Sequence, residues 1–286
     1  MRRRRSLRKR RKEYFFMFCV AVTIFLMFAA VWGILRPGVR VRVDAETVAA
    51  FRVPTGSIGR LRGYAAQNGI GFAELFAVFN AENGFFPEKH AVYDLSRLEQ
   101  LYVSDFNRLL RQYNSRSLAP YVAMFENLFD EIEAFPVPGE WLGGEVMFGD
   151  SWGVEHNFQG KDMHRGTAVI DRANIRGRVP VVSMTRGSVR EAGFDENLGY
   201  FVGVVTENDT FYLYAHLDSI APGIFIGRDV FAGEPLGLMG NSGGGGRGER
   251  GFPVHLHVAI SPDVSFARRD FWINPYPFLR HLESLI

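Results

Sequence analysis

Apolar positions fall into three regimes along the chain. Over residues 14–35 they are nearly continuous and no charged residue interrupts them. Between about 45 and 135 they recur at helical spacing. Phe72, Leu75, Phe76 and Phe79 form one stripe. Leu98, Leu101, Tyr102, Phe106, Leu109 and Tyr113 form a second, and Val122, Phe125, Leu128, Phe129, Ile132 and Phe135 a third. Such stripes cover one face of a 3.6-residue helix. After Glu140 the texture becomes short apolar runs cut by glycine: 179–183, 187–190, 200–205, 210–215, 230–239 and 254–260. These predict strands, with Glu207-Asn208-Asp209 as a hairpin turn between two of them. A short helix over 277–286 closes the chain.

The predicted layout is a tail (1–13), a transmembrane helix (14–35), a linker (36–44), a small helical domain (45–139), an antiparallel β-domain (140–276) and the last helix. Charge supports the first two assignments. The net charge of +2 conceals nine Arg and Lys residues within the first twelve, so the remainder stands at −7. A helix of 22 residues rises roughly 33 Å, enough to cross the hydrocarbon core. The basic flank places the N-terminus in the cytoplasm and everything after Arg36 outside. Tyr14 and Trp32 fall where interfacial aromatics belong. A cleaved signal peptide would have a shorter apolar core and a small-residue cleavage site. A basic tail that leads into such a segment indicates a membrane and not nucleic acid. Cys19, the single cysteine, lies inside it, so any metal outside must be held by histidine and carboxylate.

The chemistry concentrates in Val254-His255-Leu256-His257-Val258, just beyond the glycine-rich Gly240-Asn241-Ser242-Gly243-Gly244-Gly245-Gly246. In a strand, alternate residues face one way, so His255 and His257 project together. His164 in His-Arg-Gly-Thr and His216 in Tyr-Ala-His-Leu could complete a site. Imidazoles at such spacing serve as metal ligands or as acid–base groups. His90, His156 and His281 have no such setting and are read as surface or satisfied core residues. Phe79-Asn80-Ala81-Glu82-Asn83-Gly84-Phe85 weakly resembles the catalytic Glu-Ser-Gly-Phe of lytic transglycosylases. Asn83 stands where serine should, however, and no Gly-Leu-Met-Gln element follows. Glu82 is read as a solvated helix end.

Five pieces in order carry a family resemblance. They are His164-Arg165-Gly166, then 179–189, then Tyr214-Ala215-His216-Leu217, then 230–237, and finally the glycine loop with His255-Leu256-His257. From about Trp152 to Pro275 the chain resembles the M23 (LytM/lysostaphin-type) zinc peptidases, which cut peptide cross-links in bacterial cell walls. The resemblance implies an antiparallel β-domain with Zn2+ held by His164 and His257. It makes His216 and His255 the catalytic imidazoles and peptidoglycan peptides the substrate. One position departs. The family pattern His-x-Gly-x-Asp supplies the third zinc ligand from its Asp, and Ala168 stands there. Asp171, by strand parity, points to the opposite face. Asp162 would share the face and is the substitute to consider. Two functions follow: a membrane-anchored metal-dependent endopeptidase, or a catalytically silent M23-like module that binds cell wall or a partner protein.

Overall fold

The computed structural model describes residues 45–83, 106–108, 110, 115–156, 162–244, 252–262 and 271–286. The expected tail, transmembrane helix and linker lie outside the described residues, as do Leu98, Leu101, Tyr102, Leu109 and Tyr113 of the second stripe. Among the described residues no helix is long and apolar enough to cross a membrane.

Helices come first: α1 (Ala45–Ala49), α2 (Ser57–Asn68), α3 (Phe72–Glu82) and α4 (Ser115–Glu131). The first stripe becomes α3, with Leu75, Phe76 and Phe79 buried, and most of the third becomes α4, with Phe125 and Leu128 at 0 % exposure. Gly69 takes the left-handed conformation (φ 62°) just past α2 and donates its N–H to the Ala65 carbonyl, which ends that helix.

The strands are β1 (Val146–Phe148), β2 (Glu155–His156), β3 (Asp162–Met163), β4 (Thr167–Asp171), β5 (Pro180–Val182) and β6 (Gly187–Asp195). They continue with β7 (Gly199–Val205), β8 (Phe211–Ile220), β9 (Asp229–Val230), β10 (Pro235–Met239) and β11 (His255–Ser261), and α5 (Tyr276–Glu283) follows. The run expected over 230–239 is thus two strands. A turn at Phe231–Gly233 separates them, closed by the Glu234 N–H on the Phe231 carbonyl (3.0 Å) and by Gly233 at φ 80°. β7 and β8 form the expected hairpin, with Asp209 at φ 58° in its turn.

Nine strands make one antiparallel sheet in the order β1-β4-β11-β8-β7-β6-β9, with β10 joining β5 to β8; β2 and β3 form a separate ribbon. Alternation sorts the sheet's two faces. Val169, Val202, Val204, Tyr212, Tyr214, Leu256, Val258 and Ile260 face the main core. Leu213, Ala215 and Ala259 form a small cluster of their own. Each of these lies one residue from a core-facing position on its strand, and so on the other face.

The main core is continuous with the helices. Phe51, Phe76, Phe125 and Phe278 pack edge to face, with Phe76–Phe125 centroids 4.8 Å apart and Phe51–Phe278 5.5 Å. The same core cluster runs on through the valines of the sheet. Polar ties reinforce it. The Glu131 carboxylate at the end of α4 accepts hydrogen bonds from Thr206 Oγ1 (2.8 Å), Asn208 Nδ2 (2.9 Å) and the Tyr212 hydroxyl (3.3 Å). Burial, and then the Glu131 charge, push the Tyr212 phenol well above its usual pKa, so it remains a donor. Arg42–Ile286 is one compact unit.

Candidate functional site

Three neighbouring strands and the coil before β4 assemble the four histidines. β11 pairs β4 and β8, with His257 opposite Ala168 on one side and Ala215 on the other, and His255 opposite Ile170. Residues directly opposite in an antiparallel pair share a face, so Ala168, His257 and Ala215 line one row on the face away from the main core. His216 joins through a backbone irregularity. Its φ is 63°, a left-handed value unusual for a residue with a Cβ, and its N–H leaves the ladder to bond the Leu198 carbonyl (2.8 Å). His164 comes from the coil ahead of β4 and is 6 % exposed.

The rings stand close. His164 Nε2 and His257 Nδ1 are 2.8 Å apart, and the ring centroids of His216 and His255 are separated by 4.8 Å. The His216 centroid is 6.0 Å from that of His257. Phe252 packs against both His216 and His255 with centroids 5.1 Å away.

Carbonyl partners fix the ring protons, because a carbonyl only accepts. Nδ1 of His164 donates to the Ser151 carbonyl (3.0 Å), Nδ1 of His216 to Ser242 (2.9 Å) and Nδ1 of His255 to Pro253 (2.9 Å). In its neutral form each of these rings therefore carries its proton on Nδ1 and keeps Nε2 as its acceptor nitrogen. For the His164–His257 contact this makes His257 the donor. Imidazoles so oriented can accept an N–H or move a proton.

Two glycines permit the geometry. A Cβ on Gly166 would meet His257 Cε1 at 2.5 Å and the Val258 carbonyl oxygen at 2.6 Å, so the His-x-Gly pattern is a clearance for the His257 ring. Gly166→Ala is expected to cost about 1–3 kcal/mol by overpacking, read by denaturant unfolding, and to break the His164–His257 contact. A Cβ on Gly199 would strike the backbone of Ser242 at 2.4 Å, and this close approach sets Ser242 beneath His216. The hairpin end is held by Asp195, whose carboxylate accepts the Asn197 and Leu198 amides; these hydrogen bonds keep it below the usual carboxylate range.

The profile of Peptidase family M23 matches residues 162–266. A crystal structure from Ruminococcus gnavus ATCC 29149, of a protein assigned as a glycyl-glycine endopeptidase lytM, is 31 % identical. The match covers 85 % of this chain and 92 % of that one, with a TM-score of 0.63. The chain belongs to peptidase family M23. An L-Ala–D-Glu endopeptidase of Bacillus subtilis (strain 168) is 30 % identical over 182 residues, or 63 % of this chain and 49 % of that protein, so the match spans about half that relative's length. The catalytic domain of lysostaphin from Staphylococcus simulans is 25 % identical, covering 50 % of this chain and 98 % of that domain, with a TM-score of 0.40.

M23 peptidases are generally zinc-dependent, and the donor set here can be tested against that requirement. A catalytic zinc takes three protein ligands and holds its nitrogens at about 2.0–2.1 Å, which puts two of them roughly 3.3 Å apart in a tetrahedron. Among the described residues His164 and His257 are the pair in place, and their 2.8 Å separation is that of a hydrogen bond. The residue of β4 that faces them is Ala168, whose methyl group cannot coordinate. Among the described residues no group of three or more His, Cys, Asp or Glu converges as a metal-binding set. The described residues do not fit a three-ligand zinc centre.

The Asp171 carboxylate lies on the other face of β4. Asp171 is 1 % exposed on the core side of β4, as parity predicts. It accepts the amides of Ala173 (3.2 Å) and Ile175 (2.8 Å) and pairs with Arg178. Burial alone would raise its pKa, but Arg178 and the two amides outweigh burial and lower it. A depressed carboxylate contributes stability above its unfolded pKa and loses it as pH falls through the folded value. Arg178→Met is therefore expected to lower the thermal midpoint at neutral pH and to flatten the loss of stability below about pH 4, measured by thermal scans across pH. Asp162 belongs to the β2–β3 ribbon, its backbone paired with His156. Glu82 ends α3, exposed. His281 sits on α5, its pKa lowered by burial and then by Arg62, and His90 lies outside the described residues.

The four histidines thus stand in one cluster. Its supports, Ser151 and Ser242, were not predicted. Both act through backbone carbonyls, which carry no residue-type signal.

Proposed function

We propose that this chain is a cell-wall-binding member of family M23 whose histidine groove holds a peptidoglycan peptide without cutting it. The observation that carries the reading is the β4–β11 register, which sets Ala168 opposite His257 on the groove face. A peptide amide needs a strong electrophile or an activated water to be cleaved, and two imidazoles without a third ligand hold neither. The same imidazoles can accept peptide N–H groups. The apolar segment over 14–35, with its basic flank, anchors the module in the cell membrane with the groove outside, facing the wall. A partner protein is the other ligand such a silent groove can hold.

A second reading has support of its own. The B. subtilis relative is named as an endopeptidase, and all four histidines remain in one cluster. In that reading Asp162 or another carboxylate completes a zinc site and the chain is an endopeptidase. Co-sedimentation with purified cell wall separates the two. Retention on the wall with no soluble peptide released supports the binding module, and release of cross-link fragments supports the peptidase.

A further inference from the structure

The turn that carries Asp150 and Ser151 is held from two directions. On the groove side, Ser151 accepts the His164 ring proton with its carbonyl (3.0 Å) and the Ala168 N–H with its hydroxyl (3.2 Å). The backbones lock as well, Gly153 N–H on the His164 carbonyl (2.8 Å) and His164 N–H on Val154 (3.0 Å). On the far side, the Asp150 carboxylate pairs with Arg52 and accepts the Trp152 amide (3.2 Å) and Asn274 Nδ2 (3.3 Å). Arg52 follows Phe51, which is fully buried amid the phenylalanine cluster, and Asn274 donates its own N–H to the Ala49 carbonyl (2.7 Å). Residues 49–52 of the helical segment therefore grip the turn from which His164 hangs.

We propose that Asp150 is a positioning residue for His164, and that Arg52 makes the helical segment the bracket of the groove. The physical need is specific. His164 stands in coil ahead of β4, outside the main sheet's ladder. Its tautomer and aim depend on where the Ser151 carbonyl lies, and that carbonyl is one residue from a carboxylate with three donors. The Arg52–Asp150 side chains are 19 % and 17 % exposed, enclosed enough for the pair to resist screening better than a surface pair. With the bracket intact the proton stays on Nδ1 and Nε2 faces His257. Without it, both tautomers become accessible and the groove loses its fixed acceptor. The bracket operates whether or not the groove cleaves what it binds.

The test is NMR of the full chain carrying ¹⁵N-labelled histidine. The unaltered chain should show His164 protonated at Nδ1. Arg52→Met and Asp150→Ala should turn it into a mixture of tautomers and speed exchange of the Ala168 amide by about tenfold, the size expected for loss of one charge-assisted hydrogen bond. Asp150→Asn keeps an acceptor for Trp152 and Asn274 but turns a donor towards Arg52, so it should shift His164 and the Ala168 amide in the same direction as Arg52→Met. His216, fixed by Ser242 on another loop, should not change in any variant. Unaltered His164 signals and Ala168 exchange in Arg52→Met overturn the proposal. So does a joint change at His164 and His216, which would mark general loosening. Arg52→Met also serves where Asp150→Ala fails to fold.

Discussion

Replacing Ala168 by Asp is expected to give a chain that binds a single zinc ion per molecule, far more tightly than the unaltered chain. Ala168 lies opposite His257, and cross-strand partners at that spacing place their side chains about 4.5–5.5 Å apart at Cβ, within reach of a common ion. The carboxylate would add an anionic oxygen to two nitrogens and bring the donor set to the three protein ligands of an open zinc site. Loss of a supporting contact around a metal already costs about 10–100-fold in affinity, so gain of a direct ligand should exceed about 100-fold. Competition with a chelator of known affinity measures this. Equal zinc affinity in the two chains would show that position 168 does not govern the metal.

The second large effect is on stability. Phe125→Ala should cost about 3–5 kcal/mol, the usual loss for a fully buried phenylalanine. Phe125 is 0 % exposed, 5.4 Å from Phe51 and 4.8 Å from Phe76 in ring centroids, and it belongs to the core cluster that also contains Val202 and Tyr214 of the sheet. The variant should therefore lower the midpoint for helix and sheet signals together, in one transition. Separate transitions, with the sheet unaffected, would show that the helices fold on a core of their own. Denaturant unfolding followed by far-ultraviolet and near-ultraviolet circular dichroism distinguishes these outcomes.

Periodicity made the elements legible because each stripe answers to one local rule. Phe72, Leu75, Phe76 and Phe79 recur on one helical face, and His255 and His257 alternate on one strand face. The same rule placed Asp171 on the core side of β4, where Arg178 now neutralises it. What a face packs against is a different question, and spacing is silent on it. Nothing in the third stripe shows that Phe125 meets Phe278 of the last helix through Phe51. The split of 230–239 into two strands depends on a left-handed glycine at 233, a choice that an apolar run does not display. The candidate site divides in the same way. Its histidines are residue types with chemistry of their own and stand out in the sequence. The carbonyls of Ser151 and Ser242 that set their protons belong to the backbone, and only folding reveals them.

Ala168 decides between a silent and a cleaving site, and the most direct test is the zinc content of the unaltered chain. Purified from zinc-supplemented culture and measured by elemental mass spectrometry, it should carry no stoichiometric zinc, and the same material should release no soluble peptide from purified cell wall. One zinc ion per chain together with release of cross-link fragments would contradict a silent site.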